Sequence, residues 1–233
     1  MNAPAFLDVG DRRIAYRFRA GASPTLVFLP GYASDMEGAK ALALASFAER
    51  RKLAMLRFDY SGTGSSHGRL ADGTLDRWLD EALAAIDRLT KGPLILIGSS
   101  MGGWIALHLA QFRPARMKAL VGIAAAPDFT SWGFTAKQAA QLDENSRVSR
   151  NFWESGQRFL LLNKPIVVDC PVRLIHGEDD KEVPVDVAFR TMKALRSSDV
   201  QLNVLKGGGH RLSEPHEIDA ILRTVAALLE PHP

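Results

Sequence analysis

Apolar residues along this chain follow two alternating rhythms. Short apolar runs bounded by turn residues lie at 25–29 (TLVFL), 53–59 (LAMLRFD), 94–97 (LILI), 119–125 (ALVGIAA), 172–175 (VRLI) and 200–205 (VQLNVL). Runs of this length predict strands buried on both faces. Two further runs, 5–9 and 13–18, flank the turn pair Gly10-Asp11 and predict a hairpin. Between the strands the period becomes helical. Leu75, Trp78, Leu79, Ala82, Leu83, Ile86 and Leu89 share one face after Thr74, a good N-cap. Ser34-x-x-Glu37 has the form of a capping box opening a helix over about 35–51. Helices are also expected at 101–112, at 184–196 with Pro184 in the first turn, and at 214–229. Alternating strands and helices predict a mostly parallel sheet covered on both faces, in one α/β domain spanning 1–233.

The alternation breaks once. Residues 127–168 separate two strands by far more than one crossover helix needs, and they hold Phe129, Trp132, Phe134, Phe152, Trp153 and Phe159. The excess reads as a small helical cap insertion. Its aromatics are expected to face an apolar pocket, with Trp132, Phe134, Phe152 and Trp153 as the substrate contacts. The competing reading is a satellite core that only holds the insertion together.

Composition narrows the classes of function. A chain of 233 residues buries roughly 70% of its unfolded surface, enough for a core without staples. The single cysteine, Cys170, precludes an internal disulfide and fits a reducing compartment. The first residues contain no apolar stretch of signal-peptide length and do not read as a transit peptide, so a cytoplasmic location is expected. The net charge of +3 is scattered, and the run Arg50-Arg51-Lys52 ends a predicted helix, where cations suit the dipole, so no nucleic-acid partner is expected. Residues 92–112 carry no charge and have the length of a membrane span, but Pro93, Gly98 and Gly102-Gly103 divide them into a strand and a helix. No Cys/His group has metal-ligand spacing. Gly62-x-Gly64 lacks the third glycine of a dinucleotide loop, whose place His67 takes. Neither a metal nor a cofactor is expected.

The chemistry is concentrated at Gly98-Ser99-Ser100-Met101-Gly102. This G-x-S-x-G run sits between a predicted strand and a predicted helix, the context of a nucleophile elbow. Ser100 is the expected nucleophile; Ser99 is a neighbour without the glycine spacing. A serine hydroxyl needs a base to take its proton, and the base needs an acid to orient it. In a fold of this kind the chain order is serine, acid, histidine. Asp180, in the loop after strand 172–175, is the expected acid, with Glu178, Asp179 and Asp128 as alternatives. His210, after strand 200–205 and three glycines, is the expected base. His67 precedes the serine, His108 and His216 lie in helices, His176 ends a strand and His232 is in the tail. The amides of Met101 and Tyr32 are the expected oxyanion donors.

LPGYASDMEGAKALAL, LRFDYSGTGSSHG, LIGSSMGGWIALHLA, CPVRLIHGEDDKEVP and GGGHRLSEP together resemble the α/β-hydrolase domain-containing protein ten family, over about residues 25–228. The resemblance implies an α/β-hydrolase fold and the same Ser100, Asp180 and His210. It also implies hydrolysis of acyl thioesters or activated esters, on small molecules or on proteins. An acyl transferase and a non-catalytic binding module are the rival functions.

Overall fold

The computed structural model describes residues 3–230. Its eight strands are β1 (Ala5–Val9), β2 (Arg12–Arg19), β3 (Ala22–Leu29), β4 (Leu53–Phe58), β5 (Leu94–Ser99), β6 (Met117–Ile123), β7 (Val172–Gly177) and β8 (Val200–Leu205). They form one sheet in the order β1-β2-β4-β3-β5-β6-β7-β8. The first two strands pair antiparallel through the expected hairpin at Gly10, and β2 pairs antiparallel with β4. From β4 onward every pairing is parallel. The inner strands β4, β5 and β7 are buried at every position, which is why they read as continuous apolar runs rather than alternations.

The helices are α1 (Ala39–Arg50), α2 (Leu75–Leu89), α3 (Met101–Phe112), α4 (Phe129–Trp132), α5 (Ala136–Ala140), α6 (Arg150–Gln157), α7 (Val185–Ala194) and α8 (Pro215–Ala227). On one face α2 and α3 pack Trp78, Ile86, Trp104 and Leu109 against Val27, Leu56 and Leu96. On the other, α1 and α8 pack Leu44, Phe47, Ile221 and Val225 against Leu26, Ile95 and Val121. Residues 92–112 are divided between β5 and α3, and among the described residues no helix is long and apolar enough to cross a membrane.

Three local expectations need correction. The capping box Ser34-x-x-Glu37 does not form: α1 starts at Ala39, and its N-cap Gly38 makes no side-chain cap bond. The Glu37 carboxylate instead accepts from Arg17 on β2 and Arg57 on β4. Strand β6 ends at Ile123, not at 125, because Ala124 takes a left-handed φ of 44° and turns the chain toward the elbow. Pro184 is the N-cap of α7 rather than a first-turn residue. Thr74 does cap α2, accepting from the Arg77 amide.

The segment between β6 and β7 carries α4, α5 and α6. Asp128 fastens it, accepting from the amides of Leu161 (2.8 Å) and Leu162 (2.7 Å). Trp104 and His108 of α3 both donate to the Phe159 carbonyl, at 3.1 and 3.0 Å.

Candidate active site

Sterics build the turn that carries Ser100. Ser100 has φ 53° and ψ −120°, a conformation costly for a residue with a side chain. The surrounding backbone enforces it: the Ser100 amide donates to Ile123 O (2.9 Å), and its carbonyl accepts from Gly103 and Ala126. A Cβ at Gly98 would lie 2.3 Å from the Gly102 carbonyl oxygen, and one at Gly102 would lie 2.1 Å from that of Leu29. Both positions therefore require glycine. Gly31 matters for a related reason, since a Cβ there would meet the Ser100 Cβ at 3.3 Å. The loop after β3 thus runs directly against the serine.

Three of the expected residues meet. Ser100 Oγ lies 3.1 Å from His210 Nε2, to which its hydroxyl donates. His210 Nδ1 donates to Asp180 Oδ2 at 2.8 Å. The other carboxylate oxygen, Oδ1, accepts from the amides of Glu182 (2.9 Å) and Val183 (2.8 Å). The Asp180 side chain is fully buried, which by itself raises its pKa. The His210 hydrogen bond, the two amides and the His210 charge outweigh that burial and hold the carboxyl below its ordinary value. Backbone bonds join the two loops: Asp179 N donates to Gly208 O and Glu178 N to Leu205 O, both at 2.9 Å.

The alternatives have other partners. Glu178 accepts from the Gly207 amide, and Asp179 pairs with Lys181 at the surface. Asp128 anchors 161–162; its burial raises its pKa despite the two amides it accepts from. Ser99 ends β5 and makes no hydrogen bond with His210. His67 stacks edge-on against Phe6, His108 lies in α3 and His216 in α8. His232 lies outside the described residues.

Ser100 and His210 open onto a cleft of about 890 Å³. Its apolar wall includes Tyr32, Phe129, Trp132, Phe134, Leu142 and Val148. Trp132 and Phe134 thus lie where the aromatic enrichment placed them. Phe152 and Trp153 do not: neither lines the cleft. Phe152 is fully buried among Tyr32, Trp78 and Phe129, at ring separations of 4.9, 5.2 and 5.6 Å. The buried Trp153 Nε1 has no hydrogen-bond partner. Phe152 belongs to the main core, and Trp153 is half-buried on α6 outside the cleft. Lys40, Arg147, Lys181 and Arg211, none of them marked by a sequence motif, also line the cleft, from four separate stretches of chain. The amides of Met101 and Tyr32 have no protein acceptor among the described residues. Among those residues no group of three or more His, Cys, Asp or Glu could hold a metal ion.

Residues 24–147 match the model of the alpha/beta hydrolase fold family. The mitochondrial palmitoyl-protein thioesterase ABHD10 of Mus musculus is 37% identical over 234 residues, covering 93% of this chain and 79% of the relative. The chain belongs to the α/β-hydrolase family, and within it to the ABHD10 group. The structure of mouse alpha/beta hydrolase domain-containing protein 10 superposes with a TM-score of 0.91 at 34% identity, covering 98% of each chain. Est1E from Butyrivibrio proteoclasticus, solved with ferulic acid bound, shares the fold at a TM-score of 0.82 and 19% identity, covering 97% of each chain. The location needs correction. The curated mouse relative is named as a mitochondrial protein, which overturns the expectation of a cytoplasmic one.

Proposed function

We propose that this chain is a serine hydrolase that cleaves acyl thioesters and esters through an acyl-serine intermediate. The reading rests on one observation: a serine hydroxyl in an elbow turn, 3.1 Å from an imidazole whose other nitrogen is bonded to a buried carboxylate. His210 Nε2 takes the Ser100 proton as Oγ attacks the acyl carbonyl. Asp180 keeps the Nδ1–H tautomer and stabilises the imidazolium that forms. The amides of Met101 and Tyr32 are the donors for the oxyanion, since each is free of a protein acceptor among the described residues and follows Ser100 or Gly31 directly. The C–S or C–O bond then breaks, and the leaving group departs with the proton from His210. Water repeats the sequence on the acyl-enzyme.

The apolar wall of the cleft, formed by Phe129, Trp132 and Phe134 of the cap segment at 127–168, suits an acyl chain. The name of the mouse relative, a palmitoyl-protein thioesterase, supports a long acyl group carried on a protein thiol as one substrate class. A fluorophosphonate probe tests the reading. Wild type should be labelled and Ser100→Ala should not, with turnover of acyl thioesters falling on the order of 10⁴–10⁶-fold. Labelling or turnover that survives Ser100→Ala refutes the assignment.

A further inference from the structure

A second histidine stands behind the acid. His176 is the next-to-last residue of β7 and is buried, although strand positions facing a core are ordinarily apolar. Its Nε2–H donates to the Val183 carbonyl at 2.8 Å and lies 3.5 Å from Asp180 Oδ2. Val183 in turn donates its amide to Asp180 Oδ1 at 2.8 Å. The three residues close a ring: His176 holds Val183, Val183 holds one oxygen of Asp180, and the other oxygen lies between the two histidines. The 178–183 loop has no regular secondary structure of its own, and β7 is an inner strand of the sheet. His176 is therefore the side chain that refers the position of the acid to the rigid sheet.

We propose that His176 is a positioning residue for the reaction, fixing Asp180 Oδ2 so that it meets His210 Nδ1 at hydrogen-bond distance while His210 gains and loses its proton. The inference rests on the hydrolase reading above. Asp180 Oδ2 accepts from His210, so any swing of the carboxylate changes the tautomer and aim of the base. A misplacement of about 1 Å at a reacting group costs on the order of 10²-fold in rate. A histidine that only filled space would leave that alignment unchanged when replaced by another well-packed side chain.

The test compares His176→Leu, which removes the donor, with His176→Gln, whose amide nitrogen can reach the place of Nε2. In His176→Leu, kcat should fall on the order of 10²-fold, with KM little changed. The low-field proton NMR signal of the His210–Asp180 hydrogen bond should shift or broaden. His176→Gln should recover most of kcat and the signal. Wild-type kcat together with an unmoved signal in His176→Leu overturns the proposal. So does an equal loss of kcat in the Leu and Gln variants. Should His176→Leu fail to fold, His176→Asn replaces it, because its shorter amide does not reach the Nε2 place; equal kcat in the Asn and Gln variants then overturns the proposal. Fluorophosphonate labelling of Ser100→Ala runs alongside. Labelling of that control sinks the hydrolase reading itself. Its absence, with wild-type behaviour at position 176, sinks only this inference.

Discussion

His108 should make the fold sensitive to acid in a measurable window. Its ring is buried beneath the cap segment and donates Nε2–H to the Phe159 carbonyl. Burial pushes its pKa down to about 4 from an ordinary value of 6.5. The Lys164 charge adds to the depression, and the Phe159 hydrogen bond only partly opposes it. In the folded chain the ring stays neutral to about pH 4, whereas in the unfolded chain it takes a proton near pH 6.5. A depressed folded-state pKa stabilises the fold above the unfolded value, and that contribution is lost as pH falls toward the folded value. The gap between 6.5 and about 4, at about 1.4 kcal/mol per pH unit, amounts to about 3 kcal/mol. His108→Gln keeps a donor for Phe159 but cannot be protonated. At pH 7 it should be less stable than wild type by about 1–2 kcal/mol, from lost ring packing. The difference should close on acidification and reverse by pH 4, because every other titrating group is common to both chains. Urea unfolding of the two proteins at pH 7, 6, 5 and 4 reads it directly. A difference that stays constant across that range would refute the argument that burial keeps this ring neutral.

Other substitutions separate roles that the sequence leaves side by side. Asp180→Asn should lower turnover on the order of 10⁴-fold by upsetting the tautomer of His210, read as kcat on an acyl thioester. Asp128→Asn should leave kcat nearly intact while lowering stability by about 1–3 kcal/mol, since one carbonyl cannot replace a carboxylate on two amides; a larger kcat loss at 128 than at 180 would move the acid. Along an ester series, each CH₂ buried in the cleft is worth about 0.8 kcal/mol, so kcat/KM should climb roughly three- to fourfold per methylene until the cleft is full. Trp132→Ala should flatten that climb. Phe152→Ala should instead cost about 3–5 kcal/mol of stability, and a flat wild-type series would sink the acyl-cleft reading.

What was legible in the chain depended on how local the physics was. The elbow stood out because Gly98 and Gly102 are demanded by contacts within one turn and its neighbouring strand, and because β5 and α3 carry unmistakable apolar patterns. Asp180 and His210 were legible for a different reason, the order serine, acid, histidine and their places after β7 and β8, since they meet Ser100 and each other only across long stretches of chain. The start of α1 was misread because the fate of Glu37 is settled by Arg17 and Arg57, residues 20 positions away on either side. Phe152 and Trp153 are neighbours in α6, and the helical turn between them sends one into the core and the other elsewhere. No periodicity in helices as short as α4 and α5 could say which aromatics face the cleft. His176 reads from the sequence only as a rejected base at a strand end, although its spacing of four from Asp180 is a usable signal.

The glycines of the elbow also change what the motif can testify to. With 2.1 Å between a Cβ at position 102 and the Leu29 carbonyl oxygen, these sites are closed to every other residue by geometry alone. A descendant of this chain that abandoned catalysis and kept only the scaffold would have to retain Gly98 and Gly102 all the same. Position 100 is under no such duty. Its left-handed backbone disfavours a side chain, so drift there would run toward glycine once the hydroxyl had no work. In sorting working hydrolases from retired ones on this scaffold, the glycine pattern therefore certifies only the turn. The serine, kept against its own conformational preference, is the residue that reports an active past or present.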